Sequence, residues 1–105
     1  MSSQYSIAIA TASSKEEAEK LARALLDQGI AACIQVNQIK SYYRWQGKVN
    51  VNDEQILLIK CKHSDFADIQ KCIKENHSYE VPEIIEIPIT AGLPEYLSWI
   101  SEVTR

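Results

Sequence analysis

The chain has 105 residues, 46% of them hydrophobic and 24% charged, and a formal net charge of -3. That length suits a single domain, 1–105, whose core needs neither disulfides nor metals to hold it. The acidic balance and the lack of any Lys/Arg cluster argue against nucleic acid or a membrane surface as partner, because both require a basic field.

Tyr5 to Ala12 is short, apolar and partly alternating, which predicts a central strand. Ser13 with Glu16, or Ser14 with Glu17, then supplies the S-x-x-E pattern of a capping box. Ala18, Leu21, Ala22, Leu25 and Leu26 recur at helical spacing, opposite Lys15, Glu19, Lys20 and Arg23. Gly29 is placed to end that helix. A second strand is expected from Ile30, with Ile30, Ala32, Ile34 and Val36 on one face, continuing through Ile39, Tyr42 and Tyr43 to Trp45. Gln46-Gly47-Lys48 reads as a turn, and a third strand returns from Val49 to Cys61. Its alternation slips near Asn52-Asp53-Glu54, where a bulge or bend is expected.

Ser64 or Asp65 begins a second helix, with Phe66, Ile69, Cys72 and Ile73 on one stripe and an end near Asn76-His77. Pro82 stops any continuation. Glu83 to Thr90 reads as a fourth strand, which Pro88 confines to an edge or a bulge. Leu93-Pro94-Glu95 opens a short last helix, with Leu97, Ile100 and Val103 facing inward.

The order β-α-β-β-α-β with a terminal helix is that of an α+β, ferredoxin-like split βαβ sandwich. Its hairpin is unusually long. An arm of about 15 residues spans roughly 50 Å, against a radius of gyration near 13 Å for a domain of about 100 residues. The tip nevertheless carries Tyr42, Tyr43, Trp45, Val49 and Val51. Isolated hairpins are marginal in water and exposed apolar patches mark contacts, so the tip is expected to dock on another subunit.

Cys33, Cys61 and Cys72 are odd in number, widely spaced and free of any CxxC pattern. That suits free thiols in a reducing compartment. The first residues show no signal-peptide pattern and no apolar run approaches the length of a membrane helix, so the cytoplasm is the expected location.

Several ordered motifs resemble one family. Ser41-Tyr42-Tyr43-Arg44-Trp45-Gln46-Gly47-Lys48 is similar to the S-x-Y-x-W-x-G-K signature of the CutA proteins, also called divalent-cation tolerance proteins. Ala31-Ala32-Cys33 resembles the family's A-A-C, and Glu54 with Lys60 its E-x-x-L-x-x-K. His77-Ser78-Tyr79-Glu80-Val81-Pro82-Glu83 resembles its H-x-Y-x-x-P-E, and Tyr96 with Trp99 its C-terminal Y-x-x-W. The matches span almost the whole chain. The resemblance implies a ferredoxin-like subunit, a tight homotrimer whose hairpins pair across subunits, and a role in tolerance of divalent metals, copper above all. The sequence shows no Ser/His/Asp or Cys/His arrangement with recognisable local context, so an enzyme is not expected. The chain departs from the family pattern at two positions. Some bacterial members carry a cysteine near the end of the first strand and paired histidines before the tyrosine loop, where this sequence has Ala10 and Asn76-His77.

His77 is therefore the leading candidate metal ligand, since neutral imidazole is the commonest one. A His at a helix C-terminus also interacts favourably with the dipole when protonated. Cys33 is a second candidate for copper(II) or another divalent cation, although a free Cys more often packs as a small hydrophobe. Glu54, Lys60, Tyr79, Glu83, Tyr96 and Trp99 form a second constellation. Between subunits Lys60 and Glu83 would pair, or Lys60 would hold a small anion between aromatic walls, as in a regulatory trimer resembling the PII proteins. Tyr43 and Trp45 are expected to anchor the trimer interface.

Overall fold

Alanines at positions 8, 10 and 12 decide the layering. They lie on one face of β1 (Tyr5–Ala12) and are completely buried, which lets two helices approach the sheet closely. Those helices are α1 (Lys15–Asp27) and α2 (Phe66–Asn76), joined to the sheet by Leu21, Leu25, Ile69 and Ile73 in one core. The remaining elements are β2 (Cys33–Trp45), β3 (Lys48–Lys62), β4 (Ile84–Pro88) and α3 (Pro94–Val103). The computed structural model describes residues 3–105.

The sheet order is β2-β3-β1-β4 with every neighbouring pair antiparallel, the ferredoxin-like arrangement expected from the element order. β4 is an edge strand, as its Pro88 requires. Pro94 occupies the first turn of α3, and Ile100 is that helix's buried anchor, while Val103 stays half-exposed rather than inward.

Local chemistry explains the boundaries. The Ser14 side chain caps α1 by accepting from the Glu17 N–H at 3.1 Å. At its other end Gly29 takes φ +71°, the Gly29 N–H reaches Leu26 O at 3.0 Å and the Ile30 N–H reaches Leu25 O at 3.3 Å. This is a Schellman closure. It commits Ile30 to the helix end, so β2 begins at Cys33 and not at Ile30. A single 3₁₀ turn (His63–Asp65) precedes α2. β4 is shorter at both ends than the stretch from Glu83 to Thr90.

The expected bulge near Asn52-Asp53-Glu54 is not formed. The β2–β3 register runs unbroken from Cys33↔Lys60 to Trp45↔Lys48. The loss of alternation has a different cause. β1 pairs with β3 only from Gln55 to Lys62, so residues 48–54 leave the sheet and pair with β2 alone. Those seven residues project about 23 Å at 3.3 Å each, and the molecule is 44 Å along its longest axis. The tip closes through Gln46 (φ 52°) and Gly47 (φ 75°), the two positive-φ positions of a type I′ turn. Tyr42, Trp45 and Val49 there are 70, 62 and 67% exposed.

The registers also define the sheet's other face. Ile7 and Ile9 of β1 lie beside Leu58 of β3 and Ile85 and Ile87 of β4, turned away from α1 and α2. α3 reaches this side, with the Tyr5 hydroxyl 2.6 Å from Ser101 Oγ, but Ile85 and Ile87 remain nearly half-exposed.

Candidate functional site

The loop after α2 folds back over the end of β1 because three polar groups hold it there. His77 has a fully buried side chain. Its Nε2 donates to the Thr11 carbonyl at 2.6 Å, and its Nδ1 accepts the Tyr79 N–H at 3.0 Å. Since a carbonyl only accepts and an amide N–H only donates, this pattern fixes the neutral tautomer with hydrogen on Nε2. Glu17 of α1 completes the clamp. Its Oε2 accepts the Ser78 N–H at 2.8 Å, and its Oε1 accepts the Ser13 N–H at 2.9 Å and lies 3.8 Å from His77 Nε2. Burial pushes the Glu17 carboxyl up, but the hydrogen bonds from Ser13 and Ser78, with His77 beside it, prevail and hold it at about 2.

This clamp sets Tyr79 opposite the hairpin and opens a cleft of about 970 Å³ between them. Ser41, Tyr43 and Trp45 of β2 and Glu54 of β3 share one face of the hairpin and line it. Thr11, Tyr79 and Glu83 close the opposite side. The Tyr79 hydroxyl donates to Glu54 Oε2 at 3.4 Å. Burial and the Glu54 carboxylate push that hydroxyl up, which keeps it a donor. Tyr43 is held in place by a hydrogen bond with Asn52.

The residues singled out in the sequence divide into two groups. Tyr79, Glu83, Tyr43 and Trp45 meet in the cleft. Cys33, Lys60, Tyr96 and Trp99 belong to the opposite end of the sheet. Cys33 pairs with Lys60, which pairs with Ile7, four residues along β1 from the Thr11 that holds His77. Four residues of strand separate those levels by about 13 Å. Tyr96 and Trp99 stack at 5.6 Å between ring centroids. Burial and the nearby Cys33 push the Tyr96 hydroxyl up.

Within a single chain Lys60 and Glu83 stay apart, as do His77 and Cys33. Lys60 Nζ donates to Gln35 Oε1 at 2.5 Å, and among the described residues it forms no ion pair with Glu83. His77 and Cys33 form no common site, and neither nitrogen of His77 is free for a metal in this arrangement. Among the described residues no group of three His, Cys, Asp or Glu side chains converges as a metal site. The donor set of one chain does not fit a copper or other divalent ion. Cys61 and Cys72 are core residues. Burial pushes the Cys61 thiol up to about 11.

Two site residues are read in the sequence for other reasons, Ser41 as the first residue of the tyrosine-tryptophan signature and Glu17 in the capping box, and Thr11 carries no pattern that marks it. The bond from Glu17 to the distant Ser78 is a product of the fold.

Residues 6–103 match the family model described as CutA1 divalent ion tolerance protein. The divalent-cation tolerance protein CutA of Archaeoglobus fulgidus is 42% identical over 95 residues, covering 90% of this chain and 93% of that protein. Its counterpart from Thermus thermophilus is 39% identical over 99 residues, covering 93% and 96%. This chain spans only about half the length of the plant and mammalian relatives it matches, at 53% for Arabidopsis thaliana and 56% for Homo sapiens. Among solved structures, CutA1 from Oryza sativa superposes with a TM-score of 0.94 at 34% identity, covering 99% of this chain and 96% of that one. The periplasmic divalent cation tolerance protein CutA from Archaeoglobus fulgidus gives 0.92 at 39%, covering 94% and 97%.

Proposed function

Because the chain belongs to the CutA1 divalent ion tolerance family, we propose that it is a non-enzymatic homotrimer that binds divalent cations and acts in tolerance of them. The observation that carries the assembly is the hairpin tip, which projects about 23 Å beyond the sheet with Tyr42, Trp45 and Val49 uncovered. The face bearing Ile85 and Ile87 is a second apolar surface in need of cover. The sheet also has two different open edges, β2 and β4. Unlike edges join head to tail, and a head-to-tail contact that closes forms a ring. Three copies is the number the family resemblance implies. Tyr43 and Trp45 lie at the boundary between subunits in this assembly.

Cations would bind where subunits meet. Copper(II) favours imidazole and other nitrogen donors, and His77 is committed to Thr11 and Tyr79. A copper site at His77 requires the loop to open or a second chain to supply donors, and Cys33 would have to come from a different subunit. No helix of the described residues is long and apolar enough to cross a membrane. Three free cysteines favour a reducing compartment, and we place the protein in the cytoplasm.

Calorimetric titration of the metal-free protein with copper(II), beside His77→Ala, tests the metal reading. Stoichiometric binding lost in the variant supports a site at His77. Stoichiometric binding kept in the variant moves the site to other donors at the interface. No binding of copper(II), zinc(II) or manganese(II) overturns the cation reading.

The cleft favours a second reading, a regulatory trimer that binds a small molecule. Its volume of about 970 Å³ and its aromatic walls are those of a ligand pocket.

A further inference from the structure

The chain has two histidines, and among the described residues only His63 keeps a ring nitrogen without a partner. It stands in the 3₁₀ turn that follows β3. Its Nδ1 lies 2.6 Å from Glu86 Oε2, and the same oxygen accepts the Ser6 hydroxyl at 2.7 Å. A carboxylate only accepts, so Nδ1 carries hydrogen and the lone pair of the neutral ring is left on Nε2. His77 is the opposite case, with both nitrogens engaged. Glu86 is held from the inside. It pairs across the sheet with Ala8, so its side chain shares the helix-covered face, and the Ser6 that anchors it is 1% exposed.

The geometry points to His63 Nε2 as the nitrogen this chain offers a divalent transition metal, copper(II) first, with Glu86 as its positioning residue. The inference rests on the cation reading and names a donor for it other than His77. A carboxylate that takes the second N–H of an imidazole is the arrangement that fixes tautomer and ring direction in metal-ligating histidines. One chain closes no three-donor site among the described residues, and what it offers is this single oriented nitrogen. Copper(II) stands highest among the divalent first-row ions for such a donor, so it is retained best where water fills the other positions. Calcium and magnesium need several oxygens instead. Tautomer and ring direction are set inside one chain and do not depend on which surfaces a neighbour covers. The donor is also clear of the two apolar surfaces that the assembly covers. His63 follows the end of β3 farthest from the hairpin tip, and Glu86 points away from the face of Ile85 and Ile87.

Calorimetric titration of the intact, metal-free oligomer with copper(II) tests it, with His63→Ala, Glu86→Gln and His77→Ala alongside. One ion per chain is expected in the wild type and in His77→Ala, and none in His63→Ala. Glu86→Gln keeps a hydrogen-bond acceptor and removes the charge, and its affinity is expected to fall about ten- to a hundredfold. Binding that survives in His63→Ala overturns the inference and leaves the cation reading standing. Failure of the wild type to bind copper(II) overturns it as well, and failure with zinc(II) and manganese(II) too overturns the cation reading itself. Wild-type affinity in Glu86→Gln overturns the positioning role. Should a variant fail to fold, proton NMR of the wild type decides. Substoichiometric copper(II) is expected to broaden the ring protons of His63 and leave those of His77 sharp, and broadening of His77 first overturns the assignment.

Discussion

His77 donates from Nε2 to the backbone carbonyl of Thr11 at 2.6 Å, so the residue that sequence marks first as a metal ligand is a structural tie between the loop after α2 and the end of β1. Its other nitrogen turns the chain at Tyr79. Replacing it with Ala removes two hydrogen bonds, strands a buried carbonyl and leaves a cavity. His77→Ala is expected to lose about 2–4 kcal/mol of stability, read from chemical denaturation of the metal-free protein. An unchanged denaturation midpoint would show that the tie contributes nothing.

Glu17 makes the acid limb of stability predictable in sign. Its folded carboxyl is held at about 2, below the ordinary value of 4.5. A depressed carboxyl stabilises the folded state above its unfolded value, and that contribution disappears as pH falls through the folded one. Up to about 3 kcal/mol is therefore lost between pH 4.5 and 2. In Glu17→Gln the stability at pH 7 is expected to be lower and its fall over that window shallower. Parallel acid titrations of wild type and variant would contradict the assignment.

The fold was legible in the sequence because its layers follow residue periodicity. Ala8, Ala10 and Ala12 alternate, the α1 stripe repeats at helical spacing, and Pro88 marks an edge. What periodicity could not show was where pairing stops. Asn52, Asp53 and Glu54 break the apolar pattern because β3 has left β1 there, not because the strand bulges. The start of β2 was obscured because Ile30 is apolar whether it ends a helix or begins a strand. The candidate site was legible in composition but not in grouping. Lys60 and Glu83 suit each other in charge, yet the register places Lys60 beside Gln35 and Glu83 in the cleft. The Glu54–Tyr79 contact joins residues 25 apart and needs the His77 clamp to form.

The turn offers a cleaner test of backbone strain. Gln46 holds φ 52° in a two-residue connection where Asn or Gly is preferred. Gln46→Asn is expected to stabilise by a few tenths to about 1 kcal/mol, and Gly47→Ala to destabilise by about 1–2 kcal/mol. Gly47 has open space around the position a Cβ would take, so any loss there is conformational and not steric. Thermal melts of both variants decide, and equal melting temperatures would mean the turn is not ordered in solution.

The three thiols should differ in reactivity. Burial pushes Cys61 up to about 11 and also raises Cys72, whereas Cys33 is only half-buried. At pH 8 iodoacetamide is expected to modify Cys33 first, with Cys61 and Cys72 protected until the protein unfolds. Peptide mass mapping of briefly treated protein reads the order. Early modification of Cys61 would contradict the packing of the core.

The projecting tip and the uncovered sheet face bear on the central claim, and sedimentation equilibrium of the purified chain tests it most directly. The expected result is a single species of three times 11.9 kDa, independent of concentration in the micromolar range, with Ile87→Asp shifting it toward monomer. A stable 11.9 kDa monomer at all concentrations would contradict the assembly and, with it, any cation site built between subunits.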